Sequence, residues 1–185
     1  MQTAIGTDKR ELFRLLKTQA FAKGKFILSS GKESNFYLDA RLVTLSAAGA
    51  YLTARVLLDM ICQDQVDAIG GPTLGADPMV GAIASLSHQA GRPINTFIIR
   101  KQPKAHGKQQ QVEGPLLKEG SSVVIIDDVA TTGKAFVESI EVLQKMNINI
   151  KKAICIIDRG EGAQEALAKY KVPLKSIFTI AEFLE

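Results

Sequence analysis

Short apolar runs alternate with longer segments of helical periodicity through most of the chain. Five such runs, bounded by turn residues, predict buried strands at residues 66–70, 94–100, 123–127, 153–158 and 176–180. The segments between them predict helices at residues 78–89, 133–146 and 162–170. Because strands that are apolar on both faces need cover on both sides, this alternation predicts an α/β fold. We expect an open, doubly wound parallel sheet of about five strands flanked by helices.

The N-terminal part of the chain follows a different pattern. Residues 7–20 have the periodicity of an amphipathic helix, with Thr7 as its predicted N-cap. Two extended runs at 25–28 and 35–39 flank a polar stretch and predict a hairpin. A further helix is predicted over 46–63. We therefore expect an N-terminal element that is added to the sheet rather than part of it.

The composition is that of a single globular domain. With 185 residues, 20.0 kDa and 46% hydrophobic residues, the chain can bury one sizeable core. No apolar run is long enough to cross a bilayer, and the first residues lack the apolar core of a secretory signal. Cys62 and Cys155 lie far apart in apolar stretches, which is typical of buried thiols in a reducing compartment. We expect a cytoplasmic protein with no membrane partner.

The net charge of +4 is concentrated in one segment. Residues 100–112 contain four basic side chains and no acidic one, and the rest of the chain carries equal numbers of acids and bases. A nucleic-acid surface would spread its bases along a helix or over a face. A concentrated basic loop instead suits a small, multiply charged anion, so we expect no nucleic-acid partner.

The strongest chemical pattern follows the central apolar run. Asp127 and Asp128 lead into a turn of small residues that ends at Gly133 and a predicted helix. Successive backbone N–H groups at such a turn make a phosphate site, to which Thr131 and Thr132 can add hydroxyl donors. The two acids then suit ribose hydroxyls or a hydrated divalent cation at the other end of the same ligand. A solvated strand-to-helix turn is the alternative interpretation.

This pattern resembles the phosphoribosyl-diphosphate (PRPP) binding motif of type I phosphoribosyltransferases. The resemblance implies a parallel sheet covered by helices on both sides, with a smaller hood. We expect one domain, 1–185, with a core of residues 46–175 and a hood formed mainly by residues 1–45 with the C-terminal segment. The PRPP contacts implied in this stretch are Asp127, Asp128, Val129, Ala130, Thr131, Thr132, Gly133, Lys134 and Ala135.

The basic segment after the second predicted strand indicates which type I phosphoribosyltransferases the chain resembles. Its pattern, R-K-x-x-K-x-H-G from Arg100 to Gly107, looks like the mobile catalytic loop of orotate phosphoribosyltransferases. The resemblance implies a homodimer in which loop 100–112 acts in trans, against the pyrophosphate of PRPP in the neighbouring subunit's site. The catalytic residues it implies are Arg100, Lys101, Lys104, His106 and Asp128, the first four also as PRPP contacts. A solvated basic loop is the alternative.

Two further segments resemble the family's contacts to orotate. The predicted hairpin is similar to the hood, whose paired aromatics cover the orotate ring, although aromatic packing within the hairpin is an alternative. Arg159 is placed like an arginine that meets the substrate, whose carboxylate a guanidinium can hold with paired hydrogen bonds. It could instead pair on the surface with Asp158 or Glu161. The implied orotate contacts are Phe36, Tyr37, Thr131 and Arg159.

The resemblance also implies a pyrophosphate-binding loop and a metal cofactor. Residues 70–75 are similar to the loop that receives pyrophosphate through backbone amides, although a tight strand-to-helix turn fits them equally. Many relatives have Lys where this chain has Ser29 and Leu74. Mg²⁺ is the implied cofactor, held mainly through PRPP and water near Asp127 and Asp128 and without direct protein ligands.

Together these resemblances imply that PRPP and orotate give orotidine 5′-monophosphate and pyrophosphate, in pyrimidine (UMP) biosynthesis. Two alternatives remain. A purine phosphoribosyltransferase would share the paired acids but would not need the basic loop or Arg159. A PRPP-binding regulatory protein could use the same fold, but one that binds nucleic acid would need basic charge outside the loop.

Overall fold

The computed structural model describes residues 2–27, 33–102 and 111–185, with the side chains of the first helix described from residue 5 onward. The elements that precede the main sheet are, in chain order, α1 (Gln2–Leu15), a π-helical turn (Leu16–Ala20), β1 (Phe21–Ile27), β2 (Glu33–Leu38), α2 (Arg41–Thr44) and α3 (Ala47–Met60). Strands β1 and β2 pair antiparallel and form a sheet of their own. The predicted N-terminal helix and hairpin are therefore confirmed, with wider limits than the pattern indicated.

The prediction that Thr7 caps the first helix is wrong. Helix α1 begins at Gln2, so Thr7 lies inside it and its hydroxyl oxygen accepts a hydrogen bond from the Arg10 guanidinium at 3.1 Å. The helix can extend to Gln2 because residues 2–6 contain no proline. The single glycine among them, Gly6, lowers helix stability by only about 1 kcal/mol. Ser46 does act as a cap, since its Oγ accepts from the backbone N–H of Gly49 at the start of α3.

The core of the domain is a six-stranded sheet. Its strands are β3 (Ala68–Pro72), β4 (Asn95–Ile99), β5 (Val112–Glu113), β6 (Ser122–Ala130), β7 (Asn149–Asp158) and β8 (Leu174–Thr179), in the spatial order β5-β4-β3-β6-β7-β8. All neighbours are parallel except β5, which pairs antiparallel with β4. The predicted open parallel sheet is confirmed. Strand β5 was not predicted, because its two residues are too few to form an apolar pattern.

Helices cover both faces of this sheet. Besides α1, α2 and α3, the chain forms α4 (Asp77–Gln89), α5 (Lys134–Lys145), α6 (Ala163–Ala168) and α7 (Ala181–Leu184). In β6, Val124 and Ile126 pack in one buried cluster with α1, α3 and α4, whereas Val123 and Ile125 pack in a second cluster with α5 and α6. This division follows from the alternation of side chains along a strand. Within the described residues, no helix combines the length and apolar character needed to cross a bilayer.

The order of the strands fixes where a ligand can bind. From β3 the chain moves to β4 at one side, and from β6 it moves to β7 and β8 at the other. The two halves of the sheet therefore diverge between β3 and β6, and their connecting helices lie on opposite faces. In open α/β sheets a ligand binds beyond the carboxyl ends of the strands at this point of divergence.

The C-terminal helix α7 packs against the N-terminal elements. Phe183 is fully buried, and its ring centroid lies 4.7 Å from that of Phe13 and 5.7 Å from that of Phe21. The Lys23 ammonium donates to the backbone carbonyl of Leu184 at 2.9 Å. The last residues of the chain thus contact both α1 and the hairpin.

The two cysteines are free and differ in burial. Cys155 lies fully buried in β7, where burial raises the pKa of its thiol far above the ordinary value. Cys62 is half-buried at the end of α3. The prediction of buried thiols is confirmed for Cys155 and only partly so for Cys62. The high thiol pKa makes Cys155 a packing residue rather than a nucleophile.

Candidate active site

A cleft opens at the predicted point, beyond the carboxyl ends of β3 and β6. Its volume is about 220 Å³. Residues from the β3–α4 loop, the end of β4, strand β6 and the start of α5 face one another across it, among them Thr73, Gly75, Arg100, Lys101, Asp127 and Ala135. The cleft therefore combines two basic side chains with a carboxylate and with backbone from two turns.

Both paired acids lie inside β6, whereas the predicted strand ended at Asp127. The ladder to β7 continues past the acids, with Asp127 opposite Cys155 and Ala130 opposite Asp158. The strand is longer than its apolar run because the backbone of a polar residue pairs as well as that of an apolar one. As a result, the pairing with β7 fixes the backbone of both acids.

The two carboxylates are largely withdrawn from water. Asp127 is 8% exposed, and its Oδ1 accepts from the backbone N–H of Asp128 at 2.9 Å. Asp128 Oδ1 accepts from the N–H of Val129 at 2.7 Å. Burial raises the pKa of Asp127, and the charge of Asp128 raises it further. Burial also raises the pKa of Asp128, although the hydrogen bond from Val129 and the nearby positive charge of Arg41 oppose this effect.

Arg41 is a component that sequence reasoning missed. Its guanidinium binds the carboxylate of Asp39 in a bidentate ion pair, with distances of 2.9 and 3.0 Å, and its charge acts on Asp128. Only the local Asp-x-Arg spacing was visible in the sequence. The approach of Arg41 to Asp128 depends on how the hairpin folds over the sheet.

The β3–α4 loop brings main chain directly against the acids. A Cβ added at Gly75 would collide with Oδ1 of Asp127 and would lie 2.7 Å from Oδ1 of Asp128. The neighbouring N–H groups of Thr73 and Ala76 donate to the carbonyls of Ile99 and Pro72. Those of Leu74 and Gly75 meet no acceptor within the described part of the chain. These two N–H groups are therefore available to an anion.

The turn after β6 provides a longer row of free donors. Gly133 adopts φ of 80° ahead of α5, and a Cβ there would lie 3.0 Å from both Ala163 Cα and Leu167 Cδ1. The first backbone bond of the helix runs from Val137 to Gly133. Between residues 131 and 136, no N–H group meets an acceptor among the residues that the structure describes. A helix N-terminus preceded by such a row is a typical anion site.

The side chains predicted around this turn differ in accessibility. Ala130 and Gly133 are buried, Val129, Thr131 and Ala135 are half-buried, and Thr132 is exposed. Lys134 is also exposed and lies 3.8 Å from Glu138. The structure thus brings all nine predicted PRPP-motif residues to one end of the sheet, with Asp127 buried, Asp128 half-buried and the two threonines accessible.

The basic loop is described only at its two ends. The N–H of Arg100 donates to the carbonyl of Gln111 at 2.8 Å, and its guanidinium lies 3.4 Å from Glu113. Arg100 and Lys101 line the cleft of their own protomer. Lys104 and His106 lie outside the described residues, as does Ser29, and the action of the loop in trans stays a prediction.

The predicted orotate contacts are only partly brought together. The Cζ atom of Arg159 lies 4.8 Å from the ring centroid of Phe36. Arg159 donates its backbone N–H to Ala130, which places it beside the turn that holds Thr131. Tyr37 points to the other face of β2, where its ring packs 5.7 Å from that of Phe26. Successive residues of a strand cannot share a face, so Phe36 and not Tyr37 stacks on Arg159.

Comparisons with known proteins identify the family of this chain. Residues 45–184 match the family model of the phosphoribosyl transferase domain. The orotate phosphoribosyltransferase of Synechocystis sp. is 40% identical over 174 residues, which cover 94% of this chain and 87% of that protein. The chain belongs to the orotate phosphoribosyltransferase family. The family resemblance predicted from the sequence is thereby confirmed.

Solved orotate phosphoribosyltransferases share the fold over almost the whole chain. The Mycobacterium tuberculosis enzyme in complex with Fe(III) dicitrate superposes with a TM-score of 0.83 at 32% identity, covering 95% of this chain and 98% of the other. The same enzyme in complex with PRPP gives a TM-score of 0.80 at 28% identity, covering 96% and 99%. In this member of the family, Leu74 is 63% exposed on the β3–α4 loop.

Proposed function

We propose that the protein is a Mg²⁺-dependent orotate phosphoribosyltransferase, which transfers the 5-phosphoribosyl group of PRPP to orotate in pyrimidine (UMP) biosynthesis. The observation that carries the proposal is the juxtaposition of two adjacent acids, the buried Asp127 and the half-buried Asp128, with two turns that present free backbone N–H groups. A sugar that bears a phosphate at one end and a diphosphate at the other is complementary to that arrangement.

The 5′-phosphate is assigned to the turn between β6 and α5. Its anionic oxygens can accept from the N–H groups of residues 131–136 and from the hydroxyls of Thr131 and Thr132. The ribose hydroxyls then reach Asp127 and Asp128, which can accept hydrogen bonds from them. Because strand pairing fixes both acids, the ribose is held without an ordering cost at the moment of reaction.

The residues present fit a magnesium ion that is bound through the substrate. Asp77 Oδ1 is buried and without a hydrogen-bond partner among the described residues, and its charge acts on Asp127. Hard carboxylate oxygens suit Mg²⁺, which keeps several waters and is often bound through phosphates. In this proposal the ion is held mainly by PRPP and water near Asp127 and Asp128. When bound, Mg²⁺ neutralises the charge that develops on the pyrophosphate.

Charge separation is the main catalytic problem. As the bond to pyrophosphate lengthens, positive charge develops on the ribose and negative charge on the leaving group. Leu74 and Gly75 can donate backbone N–H groups to that leaving group. The basic side chains of the loop add positive charge, and they are Arg100, Lys101, Lys104 and His106. Preorganised donors of this kind supply a large share of catalysis in many enzymes. Lys104 or His106 can also donate a proton to the leaving group.

Orotate is assigned to the space between the hairpin and the turn after β7. The guanidinium of Arg159 suits the anionic base, and Phe36 presents an aromatic ring beside it. Thr131 stands at the adjacent turn. Tyr37, which is 44% exposed on the opposite face of β2, is the weakest of the four proposed contacts.

The active assembly is proposed to be a cytoplasmic homodimer, with the loop acting in trans and with the hood formed by residues 1–45 and the C-terminal segment. Leu42 in α2, Leu45 in the turn after it and Tyr51 in α3 support a subunit contact, since they are 57%, 72% and 45% exposed. The contacts of Phe183 with Phe13 and Phe21 support the composition of the hood.

The test follows the loss of orotate absorbance with PRPP and Mg²⁺, and repeats the assay with adenine, hypoxanthine and uracil. We expect rapid consumption of orotate only, loss of activity with a chelator, and inactivity of Asp128→Asn. Asp59→Asn, an exposed acid at the far end of α3, is the matched control. Consumption of a purine would favour a purine phosphoribosyltransferase, and PRPP binding without consumption of any base would favour a regulatory protein.

A further inference from the structure

The Arg159 guanidinium is held at two places by groups from different elements. Its Nε donates to Glu161 Oε1 at 2.8 Å, and one face of the group lies against the ring of Phe36 on the hairpin. The side chain of Arg159 is 11% exposed, whereas that of Glu161 is 43% exposed. The guanidinium is thus fixed in orientation although its ion-pair partner reaches solvent.

The contact with Glu161 uses one donor and leaves four. A guanidinium carries five N–H donors, one on Nε and four on the two terminal nitrogens. Within the described residues, no acceptor lies against the terminal nitrogens of Arg159. These nitrogens form the edge that can bind two oxygens of a planar anion at once. Glu161 therefore orients the group without occupying that edge.

The backbone explains why Glu161 meets Nε. Gly160 and Gly162 adopt φ of 67° and 105°, in the left-handed region that favours glycine. The N–H of Gly160 donates to Oδ1 of the buried Asp158 at 2.9 Å, which closes the turn. The chain therefore folds back within two residues of Arg159. So short a connection directs the Glu161 carboxylate to the near side of the guanidinium.

We propose that Glu161 is a positioning residue for substrate specificity, which orients Arg159 so that its terminal nitrogens are presented to the base. The assignment rests on the proposed function, because it takes Arg159 as the contact to orotate. Two other roles make different predictions. If Glu161 occupied the substrate's place on Arg159, its removal would strengthen orotate binding. If the pair were an ordinary surface ion pair, its removal would change nothing.

The test compares Glu161→Ala and Glu161→Gln with wild type, in initial-rate kinetics with each substrate varied and in calorimetric binding of orotidine 5′-monophosphate. Loss of one charged hydrogen bond predicts about a tenfold rise in the KM for orotate in Glu161→Ala. The kcat and the KM for PRPP should stay within about twofold of wild type, which corresponds to a change of no more than ~0.4 kcal/mol. Glu161→Gln keeps an acceptor for Nε and should show a smaller rise.

Glu165→Ala, an exposed acid in the first turn of α6, is the matched control and should leave both KM values unchanged. A lower or unchanged KM for orotate in Glu161→Ala would overturn the proposal, as would equal changes in both KM values, because a general folding defect moves both. If Glu161→Ala does not fold, an unchanged KM in Glu161→Gln together with unchanged binding of the nucleotide overturns it. Failure of the wild type to consume orotate would instead refute the proposed function, and this inference with it.

Discussion

The two ends of the sheet each carry a hollow, and they differ in how their polar groups are satisfied. The hollow at the amino end is the larger, about 350 Å³, between the end of α5 and residues 170–172. There the Asn147 amide donates to Glu119 at 2.9 Å and the Tyr170 hydroxyl donates to Glu141 at 2.6 Å. Each of these polar groups already has a partner within the protein.

At the carboxyl end the smaller cleft presents groups that lack partners. The N–H groups of residues 131–136 meet no acceptor among the described residues, and the buried Asp127 lies next to the half-buried Asp128, both with raised pKa values. Unpaired backbone N–H groups at the start of a helix can donate to a bound anion. Unpaired N–H donors beside two acids, rather than the size of a hollow, identify the functional end.

The largest expected effect at the carboxyl end comes from the basic loop. Lys104→Ala should lower kcat by about a hundredfold or more, as expected for loss of a main transition-state stabiliser. The control is Lys151→Ala, an exposed lysine at the amino end of β7, which should leave kcat unchanged. Near-normal turnover of Lys104→Ala would remove the loop from the mechanism.

The same variant tests the action of the loop in trans. If Lys104 serves the neighbouring subunit, mixing Lys104→Ala with inactive Asp128→Asn subunits creates one hybrid site that has both residues. Some activity should then return after subunit exchange. No recovery, with exchange verified by native mass spectrometry of the mixed dimer, would contradict the assignment.

A second effect concerns the approach of the β3–α4 loop to the acids. Gly75→Ala places a methyl group against Oδ1 of Asp127, so the loop must shift. We expect kcat/KM for PRPP to fall by about a hundredfold, the loss that a 1 Å misplacement can cause. Gly81→Ala, in α4 with open space around it, should be neutral for activity and slightly stabilising. Equal kinetics for the two variants would show that the loop does not position the substrate.

Asp127 should reveal a conflict between stability and function. Because burial raises its pKa on folding, the folded state holds this proton more tightly than the unfolded chain does. Ionisation of Asp127 therefore reduces stability as the pH rises above the pKa of the unfolded chain. Asp127→Asn removes that effect and should raise Tm at neutral pH by roughly 2–4 °C for each ~1 kcal/mol recovered.

The gain in Tm should disappear as the pH falls below about 4, the ordinary range of an Asp carboxyl. Thermal unfolding without ligand across this pH range measures it, and turnover measured on the same variant should be lost. A lower Tm at neutral pH would show that the acid stabilises the fold rather than serving a ligand.

The smallest effect is expected at the amino end. Tyr170→Phe removes the hydrogen bond to Glu141, which reaches solvent, so Tm should change only slightly and both KM values should stay at wild-type levels. A clear rise in either KM would show that the amino-end hollow takes part in substrate binding and would break the comparison between the two ends.

Local patterns predicted much of the fold and of the site. Asp127, Asp128 and Gly133 follow one another in a strand, turn and helix, so their proximity is a property of a short segment. The same holds for Arg159 at the turn after β7. Strand limits were less predictable, because the ladder between β6 and β7 extends beyond the apolar residues.

The rest depends on contacts between distant segments. The approach of Arg41 to Asp128 and of Gly75 to both acids arises only when the hairpin and two separate strands assemble. The stacking of Arg159 on Phe36, and not on Tyr37, depends on which face of β2 is turned toward the sheet. Residue types do not specify such relations in advance of the fold.

The most direct test of the central claim is base-dependent release of pyrophosphate from PRPP in the presence of Mg²⁺. The free N–H groups, the paired acids and Arg159 predict rapid release with orotate and very slow release without it, with one orotidine 5′-monophosphate formed for each pyrophosphate. Absence of release with orotate, or release at the same rate with no base present, would contradict the account.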